Sequence, residues 1–438
     1  MAMQDTRPAA LSVFFPEGQI GTLYPTEPLS FAYCDEWLAA PSALPLHPGM
    51  PLTAGRIDSP FVDAFFENLL PEGDQRKLIS SREKVSSVYG LLWKVGGESA
   101  GSIVLLPEGE APQAPIYQQL TWDQVDALAH AAARPQEREA IERAAKDFPK
   151  PRMSISGAQH KLLLFLDRDG TPCRPMGNSP STHILKPDIV RNDINIFASA
   201  ANETITMLLA MECGLPTAQV AYQVDTQACL IARYDRERLH DGNVRRIWQA
   251  DFCQLLGVQS DVKYEQDGGP GFKDCFDLLK QSAQPAQDQR NLLRWLFFNL
   301  CTGNNDSHAK NLSMMASGRG IRLAPFYDLM CTRVYSGLGH RFAFSIAGET
   351  DPGKLGADHF TELARLLAIG PKYVLKTGHD MATAVENGIP AAAAKVLPSL
   401  APSQKILAER IIDKTRSLAR KLKQRIDNKA IEVEGDAS

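Results

Sequence analysis

The chain has neither a long apolar run nor a cysteine pattern of the kind that marks membrane, metal-binding or disulfide-linked proteins. Its 438 residues include eight cysteines, but these are scattered and no two form a CxxC pair, so we interpret them as reduced core residues. The most apolar stretch, Leu292 to Cys301, is interrupted by Arg294 and is too short to span a bilayer. We expect no signal peptide, because the first residues lack the pattern of one. These absences predict a cytoplasmic protein with no membrane partner.

A large excess of charge of one sign is also missing. The formal net charge is -4 and 44% of the residues are apolar, so the chain is not a polybasic binder of nucleic acid or membranes. A chain of this length can bury a sizeable core and suggests two or three domains. The basic stretch from Lys414 to Arg425 is open to two interpretations, a solvated helix face or a contact with an acidic partner or nucleic acid.

Familiar phosphate-binding loops are absent as well. Ser154 to Lys161 contains a single glycine and is neither a Walker A motif nor the Gly-rich loop of ordinary protein kinases. Asp267 to Gly271 is richer in glycine, but no strand-to-helix context surrounds it. It therefore predicts a tight turn rather than a phosphate cradle.

The most informative motif is Asp306-Ser307-His308-Ala309-Lys310-Asn311, followed by Asp328. An Asp and an Asn five residues apart match the catalytic loop of protein kinases. Phosphoryl transfer needs a carboxylate to accept the proton of the attacking hydroxyl, and an amide oxygen and a second carboxylate to hold Mg²⁺. The spacing alone is also compatible with helix caps and solvated loops.

An upstream lysine and glutamate occur in the order that a kinase requires. His183 to Pro187 has strand character, and Pro187 biases Lys186 away from helical geometry. Glu203 lies near the start of a predicted helix, Asn202 to Cys213, which Gly214 ends. A strand lysine paired with a helix glutamate positions the nucleotide in kinases. The alternative is that Lys186 and Glu203 are an unrelated pair of surface residues.

Taken together, several segments resemble the HipA family of serine/threonine kinases, the toxins of bacterial toxin–antitoxin modules. The resemblance covers nearly the whole chain and includes an N-terminal segment, Pro60 to Gly73. The other matching segments are Ser154 to Lys161, His183 to Lys186, Arg233 to Arg236, Val262 to Glu265, Asp267 to Gly271, Asp306 to Asn311, and Pro325 to Asp328.

The resemblance implies a role for each matching residue. Asp306 would be the catalytic base, assisted by His308 and Lys310, and Asn311 and Asp328 would be the Mg²⁺ ligands. His308 is equally compatible with a structural hydrogen bond that shapes the loop. The residues implied in ATP binding are Ser156, Gly157, Ala158, Gln159, Lys161, Lys186, Glu203, Arg233, Tyr234, Asp235, His308, Asn311 and Asp328. Ala232 departs from the family pattern, in which glutamate is common, but a nucleotide hinge bonds through its backbone.

The same resemblance implies regulation by autophosphorylation at Ser154, with Ser156 as a second site. A phosphate beside the ATP phosphates would repel them and expel the loop. Turn-capping hydroxyls are the alternative interpretation of both serines.

The expected fold class is α+β, a two-lobed protein-kinase-like fold of the HipA type with a mixed α/β N-lobe, a mostly helical C-lobe and an extra β-rich subdomain. The subdomain would span residues 1–112, the N-lobe 113–236, the C-lobe 237–430 and a frayed acidic tail 431–438. Local patterns predict strands at Leu11 to Phe15, Phe31 to Tyr33 and Leu162 to Leu166. They predict helices at Thr121 to Ala145, Phe276 to Leu279, Leu292 to Leu300, Phe360 to Leu367 and Ile406 to Ile426.

We therefore expect an ATP- and Mg²⁺-dependent protein kinase acting as a toxin. By resemblance its target would be an aminoacyl-tRNA synthetase and its partner a HipB-like helix-turn-helix antitoxin, with DNA bound only through that antitoxin. Three alternatives stay open: a lipid or small-molecule kinase, an inactive co-repressor, and a stress effector controlled by a different antitoxin. The presence of Lys186, Asp306, Asn311 and Asp328 argues against the inactive form.

Overall fold

The computed structural model describes residues 7–131, 133–153, 159–191 and 193–427. By their internal contacts these residues form two compact units. Unit 1 lies within residues 1–185, 233–262 and 314–316, and unit 2 lies within 186–232, 263–313 and 317–438. The three-part domain division expected from the sequence stays a prediction.

Strands and helices are numbered separately along the chain. The strands are β1 (Leu11–Phe15), β2 (Gly18–Tyr24), β3 (Ser30–Tyr33), β4 (Arg56–Asp58), β5 (Val104–Pro107), β6 (Ile116–Gln119), β7 (Leu162–Leu166), β8 (Pro172–Met176), β9 (His183–Lys186), β10 (Val220–Gln223), β11 (Ala228–Ala232), β12 (Arg236–Arg238), β13 (Val244–Arg246), β14 (Gln249–Asp251), β15 (Ser313–Ser317) and β16 (Gly320–Leu323). The helices are α1 (Asp35–Ala39), α2 (Pro60–Glu67), α3 (Gly73–Glu83), α4 (Val88–Val95), α5 (Trp122–Ala129), α6 (Pro135–Ala144), α7 (Ser199–Glu212), α8 (Phe252–Leu256), α9 (Phe272–Leu278), α10 (Pro285–Thr302), α11 (Ala357–Leu366), α12 (Pro371–Ala394) and α13 (Pro402–Asp427).

Two large antiparallel sheets have strands in unit 1, in addition to the two-stranded antiparallel pair β12-β13. The first has the order β4-β3-β2-β1-β5, and its register shifts between Val13 and Phe14 on β1. In the second, β7 pairs with β8 and β9, and β8 pairs with β6. The predicted strands at Leu11 to Phe15, Phe31 to Tyr33 and Leu162 to Leu166 are confirmed. The β-rich N-terminal part follows from their apolar and β-branched residues.

The single helix predicted from Thr121 to Ala145 is wrong, because the structure has α5 and α6 there. Thr121 opens α5 with a capping box, but Arg134 adopts a non-helical conformation and Pro135 occupies the first turn of α6. Proline has no backbone N–H and disfavours helical geometry in the residue before it. It therefore starts a new helix rather than continuing the old one.

Unit 2 is mostly helical and packs around α10. Its core contains Trp295, Phe297 and Phe298, all fully buried, and the Phe297 ring lies 4.9 Å from that of Phe360 on α11. A Cβ added to Gly378 of α12 would lie 2.6 Å from Phe297, so glycine lets the two helices approach closely. Among the described residues, no helix has both the length and the hydropathy needed to cross a bilayer.

The remaining predicted helices of unit 2 are confirmed in α7, α9, α10, α11 and α13. The tight turn predicted at Asp267 to Gly271 is also confirmed, since Gly268 has a φ of +91° and follows a short 3-10 helix, Glu265–Asp267. α12 was not predicted. The predicted tail, 431–438, lies outside the described residues.

Candidate active site

The loop that follows α10 carries Asp306 and closes with a short 3-10 helix, Ala309–Asn311. α10 ends at Gly303, whose φ of +70° lies in the left-handed region that favours glycine. Next along the chain, the side chain of Asn304 donates to the side chain of Asn299 at 2.8 Å. The helix end and this amide pair fix where the loop leaves α10.

Asn311 braces the loop from its far end. Its Nδ2 atom donates to the backbone carbonyl of Asp306 at 2.8 Å. Because the amide nitrogen makes this bond, the amide oxygen of Asn311 is the atom that can ligate a cation. The Asp306 side chain remains 58% exposed, as a base that must meet a substrate hydroxyl requires.

Lys186, at the end of β9, lies between two carboxylates. Its Nζ atom donates to Glu203 Oε1 at 2.7 Å and to Asp328 Oδ1 at 2.6 Å. Both Lys186 and Glu203 are buried. Burial opposes the charge of the lysine, but the two carboxylates outweigh it and raise the pKa of Lys186. The structure thus brings together the lysine and the helix glutamate, and it adds Asp328 to the pair.

The segment before Asp328 is anchored in the core of unit 2. The Phe326 ring stacks on Trp295 with centroids 5.8 Å apart, and the Phe326 N–H donates to the Pro216 carbonyl at 2.8 Å. Asp328 itself has a φ of +57°, a left-handed conformation that strains the backbone of residues other than glycine, although asparagine and aspartate adopt it more readily than most. Such strain persists where the surroundings impose it and is common at functional sites.

Tyr327 connects this segment to the catalytic loop. Its hydroxyl donates to the backbone carbonyl of Lys310 at 3.0 Å and lies 2.8 Å from the hydroxyl of Ser313. The two segments that carry Asp306, Asn311 and Asp328 are therefore held together by hydrogen bonds within one unit.

His308 is a buried imidazole inside the same loop. Only 4% of its side chain is exposed, and its Nδ1 atom has no hydrogen-bond partner among the described residues. Burial lowers the pKa of His308 well below its ordinary value. The charges of Lys263 and Lys310 also lower this pKa, and the charge of Asp328 opposes them. These effects favour the neutral form of the imidazole. An unpartnered buried nitrogen is a suitable contact for a bound polar group.

The structure adds a residue to which the sequence assigned no role. The hydroxyl of Tyr264 donates to Asp306 Oδ1 at 2.5 Å, and the Tyr264 ring meets the His308 ring edge-on with centroids 4.9 Å apart. Tyr264 belongs to the matching segment Val262 to Glu265, and that membership was the only signal in the sequence.

Arg233 and Tyr234, whose backbone the family resemblance implies as the nucleotide hinge, lie in unit 1 with Asp235. The side chains of Arg233 and Asp235 take part in a buried ion-pair network there. Arg233 donates to Asp235 and to Glu98, and Asp235 also accepts from Arg236 and from the Gly101 N–H. Burial opposes the charge of Asp235, but the two arginines outweigh it and lower its pKa. The carboxylate of Asp235 is thus engaged by protein groups, and its contact with nucleotide stays a prediction.

Part of the predicted ATP-covering loop lies outside the described residues, including Ser154, Ser156, Gly157 and Ala158. Gln159 and Lys161 are described, half-buried and just before β7 in unit 1, and Tyr234 is also half-buried in unit 1. The structure therefore groups Lys186, Glu203, Asp306, His308, Lys310, Asn311 and Asp328 in unit 2. The remaining predicted nucleotide contacts stay predictions.

The donor atoms of the site suit the expected metal. Asn311 and Asp328 offer amide and carboxylate oxygens, the hard ligands that Mg²⁺ prefers. A Mg²⁺ ion bound there would neutralise charge on nucleotide phosphates. The oxygen atoms of Asn311 and Asp328 therefore suit Mg²⁺, and Tyr327 holds the two segments that carry them together.

Comparison with known proteins gives the family. Residues 11–126 match the model of the HipA N-terminal domain, and residues 153–389 match that of the HipA-like C-terminal domain. The chain belongs to the HipA family, as its motifs predicted.

Two curated relatives cover most of this chain. A protein of Sinorhizobium fredii named "Putative kinase Y4mE" is 36% identical over 356 residues, 78% of this chain and 81% of the relative. The "Serine/threonine-protein kinase toxin HipA" of Shewanella oneidensis is 29% identical over 414 residues, 89% of each chain.

A solved structure supports the fold. It is a complex of HipA, HipB and operator DNA from Shewanella oneidensis, and one of its chains superposes with a TM-score of 0.80 at 24% identity, covering 95% of this chain and 98% of that one. The expected α+β fold of the HipA type is therefore confirmed.

Proposed function

We propose that this protein is an ATP- and Mg²⁺-dependent serine/threonine protein kinase. The observation that carries the proposal is the position of Lys186, whose ammonium group bonds to both Glu203 and Asp328. A lysine braced by a helix glutamate next to a metal-binding aspartate is what a kinase needs to hold nucleotide phosphates. Membership in the HipA family supports the same activity.

In this proposal Asp306 orients the substrate hydroxyl and accepts its proton. As the hydroxyl oxygen bonds to the γ-phosphorus, the bond from that phosphorus to the ADP oxygen breaks and ADP leaves. Asn311 and Asp328 hold the metal, Lys186 and Lys310 offset phosphate charge, and the neutral imidazole of His308 donates to a phosphate oxygen. The exposure of Asp306 and the burial of Lys186, Lys310 and His308 suit these different tasks.

The regulation we propose acts through Ser154, with Ser156 as a second site. Phosphorylation there would place about two negative charges on the loop that covers ATP. The like charges of the nucleotide would then oppose ATP binding, so that autophosphorylation silences the kinase.

The biological role we propose is that of a toxin in the cytoplasm, restrained by a HipB-like helix-turn-helix antitoxin. The Shewanella oneidensis relative is named a toxin, and the superposed structure contains HipB and operator DNA. This chain would reach DNA through such a partner. Its substrate would be a protein, with an aminoacyl-tRNA synthetase as the leading candidate, whose phosphorylation would stop charging and growth.

Incubation of the purified protein with γ-labelled ATP and Mg²⁺, alone and with bacterial lysate, tests the activity. Asp306→Asn is the matched control. Self-labelling and a labelled lysate protein, both lost in the control, are the expected result. Labelling of a lipid panel without labelled protein would instead identify a lipid kinase. Measurable ATP binding without any transfer would contradict the kinase and favour an inactive co-repressor.

A further inference from the structure

Tyr264 is held beside the candidate base by a tight turn of the backbone. The Tyr264 carbonyl accepts from the N–H groups of Asp267 and Gly269 at 3.0 and 2.9 Å, and Gly268 provides the positive φ that the turn requires. The next side chain, Glu265, accepts from the backbone N–H of Ser345 at 2.7 Å. The glycine-rich segment that resembles a phosphate cradle therefore fixes the position of a tyrosine.

Contacts of the Tyr264 side chain with Asp306, His308 and Lys263 position its hydroxyl. The hydroxyl lies 2.5 Å from Asp306 Oδ1, the ring edge meets His308, and the ammonium group of Lys263 lies 5.5 Å from the ring centroid. Tyrosine has only two rotatable side-chain bonds before its hydroxyl, so a ring held on two sides leaves the hydroxyl little freedom. The hydrogen bond to Asp306 is thus directed rather than incidental.

The geometry distinguishes a hydroxyl that blocks the base from one that positions it. A tyrosine that blocked the base would cover the carboxylate, yet the Asp306 side chain is 58% exposed with the bond in place. The bond engages Oδ1, which is also the oxygen 3.9 Å from His308 Nε2. Tyr264 and His308 therefore both lie on the Oδ1 side of a carboxylate that stays open to solvent.

We infer that Tyr264 is a positioning residue that orients the Asp306 carboxylate toward the hydroxyl of the protein substrate. This role rests on the proposed function. A base held in one orientation needs no rearrangement when the substrate arrives, and such alignment contributes to the rate of the chemical step rather than to nucleotide affinity. Tyr264 acts through Asp306 and does not itself accept the proton.

The test is a double-mutant cycle of Tyr264→Phe and Asp306→Asn. Phenylalanine keeps the ring against His308 and removes only the hydroxyl. We expect Tyr264→Phe to lower kcat about tenfold, a loss of the size expected for a hydrogen bond to a charged group. The KM for ATP and the calorimetric Kd for ATP should stay within about twofold of the values for the unmodified protein. In the Asp306→Asn background, the same change should alter the residual rate little.

Tyr222→Phe is the control, because it removes a comparable tyrosine hydroxyl, which donates to Gln404 at 3.2 Å, from a part of unit 2 outside the candidate site. It should leave kcat unchanged. Equal losses from Tyr264→Phe in both backgrounds would overturn the inference, since the hydroxyl would then act independently of Asp306. A higher kcat in Tyr264→Phe would also overturn it and identify a blocking contact.

The two proposals fail differently. If the unmodified protein transfers no phosphoryl group to any protein, the proposed function fails and the role of Tyr264 fails with it. If the unmodified protein is active and depends on Asp306, but Tyr264→Phe leaves kcat unchanged, the role of Tyr264 fails alone.

Discussion

Lys186 donates to Asp328 at 2.6 Å across 142 positions of sequence, while Glu203 accepts from the same ammonium group at 2.7 Å. The lysine therefore has one partner that is buried and one that is 41% exposed. Glu203 is the buried partner of Lys186, whereas Asp328 is the more exposed partner and the proposed metal ligand. The ammonium group of Lys186 thus links a buried glutamate to the proposed metal ligand.

Asp328→Asn should abolish Mg²⁺-dependent ATP binding while the fold survives. Asparagine removes the charge that a cation needs, but it tolerates the left-handed backbone that Asp328 adopts at φ +57°, so it is a cleaner change than alanine. Calorimetric titration of ATP with and without Mg²⁺ measures the effect. Asp380→Asn, on an exposed part of α12, is the control. Unchanged Mg²⁺-ATP affinity in Asp328→Asn would contradict the metal-ligand assignment.

Glu203→Gln should lower both stability and nucleotide use. Lys186 would keep Asp328 but lose its buried partner, and we expect the free energy of unfolding to fall by about 1–3 kcal/mol. Chemical denaturation and ATP titration measure the two effects. Glu212→Gln provides the control on the same helix, because Glu212 pairs with Lys395 at the surface. If both variants behaved alike, Lys186 would not depend on Glu203.

Asp306→Asn should lose about 10²- to 10⁴-fold in transfer rate, the usual contribution of a positioned base, and keep its affinity for ATP. The amide can still accept from Tyr264, so the loop should keep its conformation. Single-turnover transfer to a labelled protein substrate gives the rate, and calorimetry gives the affinity. Weaker ATP binding with an unchanged rate would assign Asp306 to the nucleotide instead.

Much of the site could be predicted because its local patterns are strong. Pro187 and the apolar residues before it placed Lys186 at a strand end, and helix periodicity placed Glu203 in α7. Side-chain pairs between distant segments could not be predicted, because spacing along the chain says nothing about which side chains meet. Tyr264 and Asp306 lie 42 positions apart, and nothing near either residue indicates the bond between them.

The wrong helix prediction and the missed contacts have different origins. The Arg134 and Pro135 pair breaks a stretch that looks helical in average hydropathy, because proline restricts the residue before it. Asp235 matched a family motif together with its neighbours Arg233 and Arg236. Glu98 and Arg246, which complete the ion-pair network, come from separate segments, and their part in it becomes visible only in the folded unit.

The serine prediction concerns residues outside the described part of the chain, so mass spectrometry tests it best. After incubation with ATP and Mg²⁺, phosphopeptides should carry phosphate on Ser154, with a smaller fraction on Ser156. The Ser154→Ala variant should then retain transfer to other proteins for longer, because the inhibitory charge cannot form. An active enzyme, verified against Asp306→Asn, with neither serine modified would contradict this regulation.

Glu98 lies at the centre of the ion-pair network of unit 1 and should control the acid stability of that unit. It is fully buried and accepts from Arg233, Arg236 and Arg246 at 3.0, 3.0 and 2.7 Å. Burial opposes its charge, but the three arginines outweigh burial and lower the pKa of Glu98 to about 2. Removing one partner of a buried charge network typically costs about 3–5 kcal/mol, and we expect a loss of this size in Glu98→Gln.

The pH dependence follows from the direction of that shift. A carboxyl whose pKa is lower in the folded state than in the unfolded chain stabilises the fold fully above its ordinary pKa near 4.5, and the contribution is lost as the pH falls toward 2. Denaturant titrations between pH 6 and pH 2.5 should therefore show a steeper loss of stability in the unmodified protein than in Glu98→Gln. Glu237→Gln, which removes a half-exposed glutamate paired with Arg245, should follow the unmodified curve. Parallel curves for all three proteins would mean that the pKa of Glu98 does not differ between the folded and the unfolded state, which would contradict the lowered pKa.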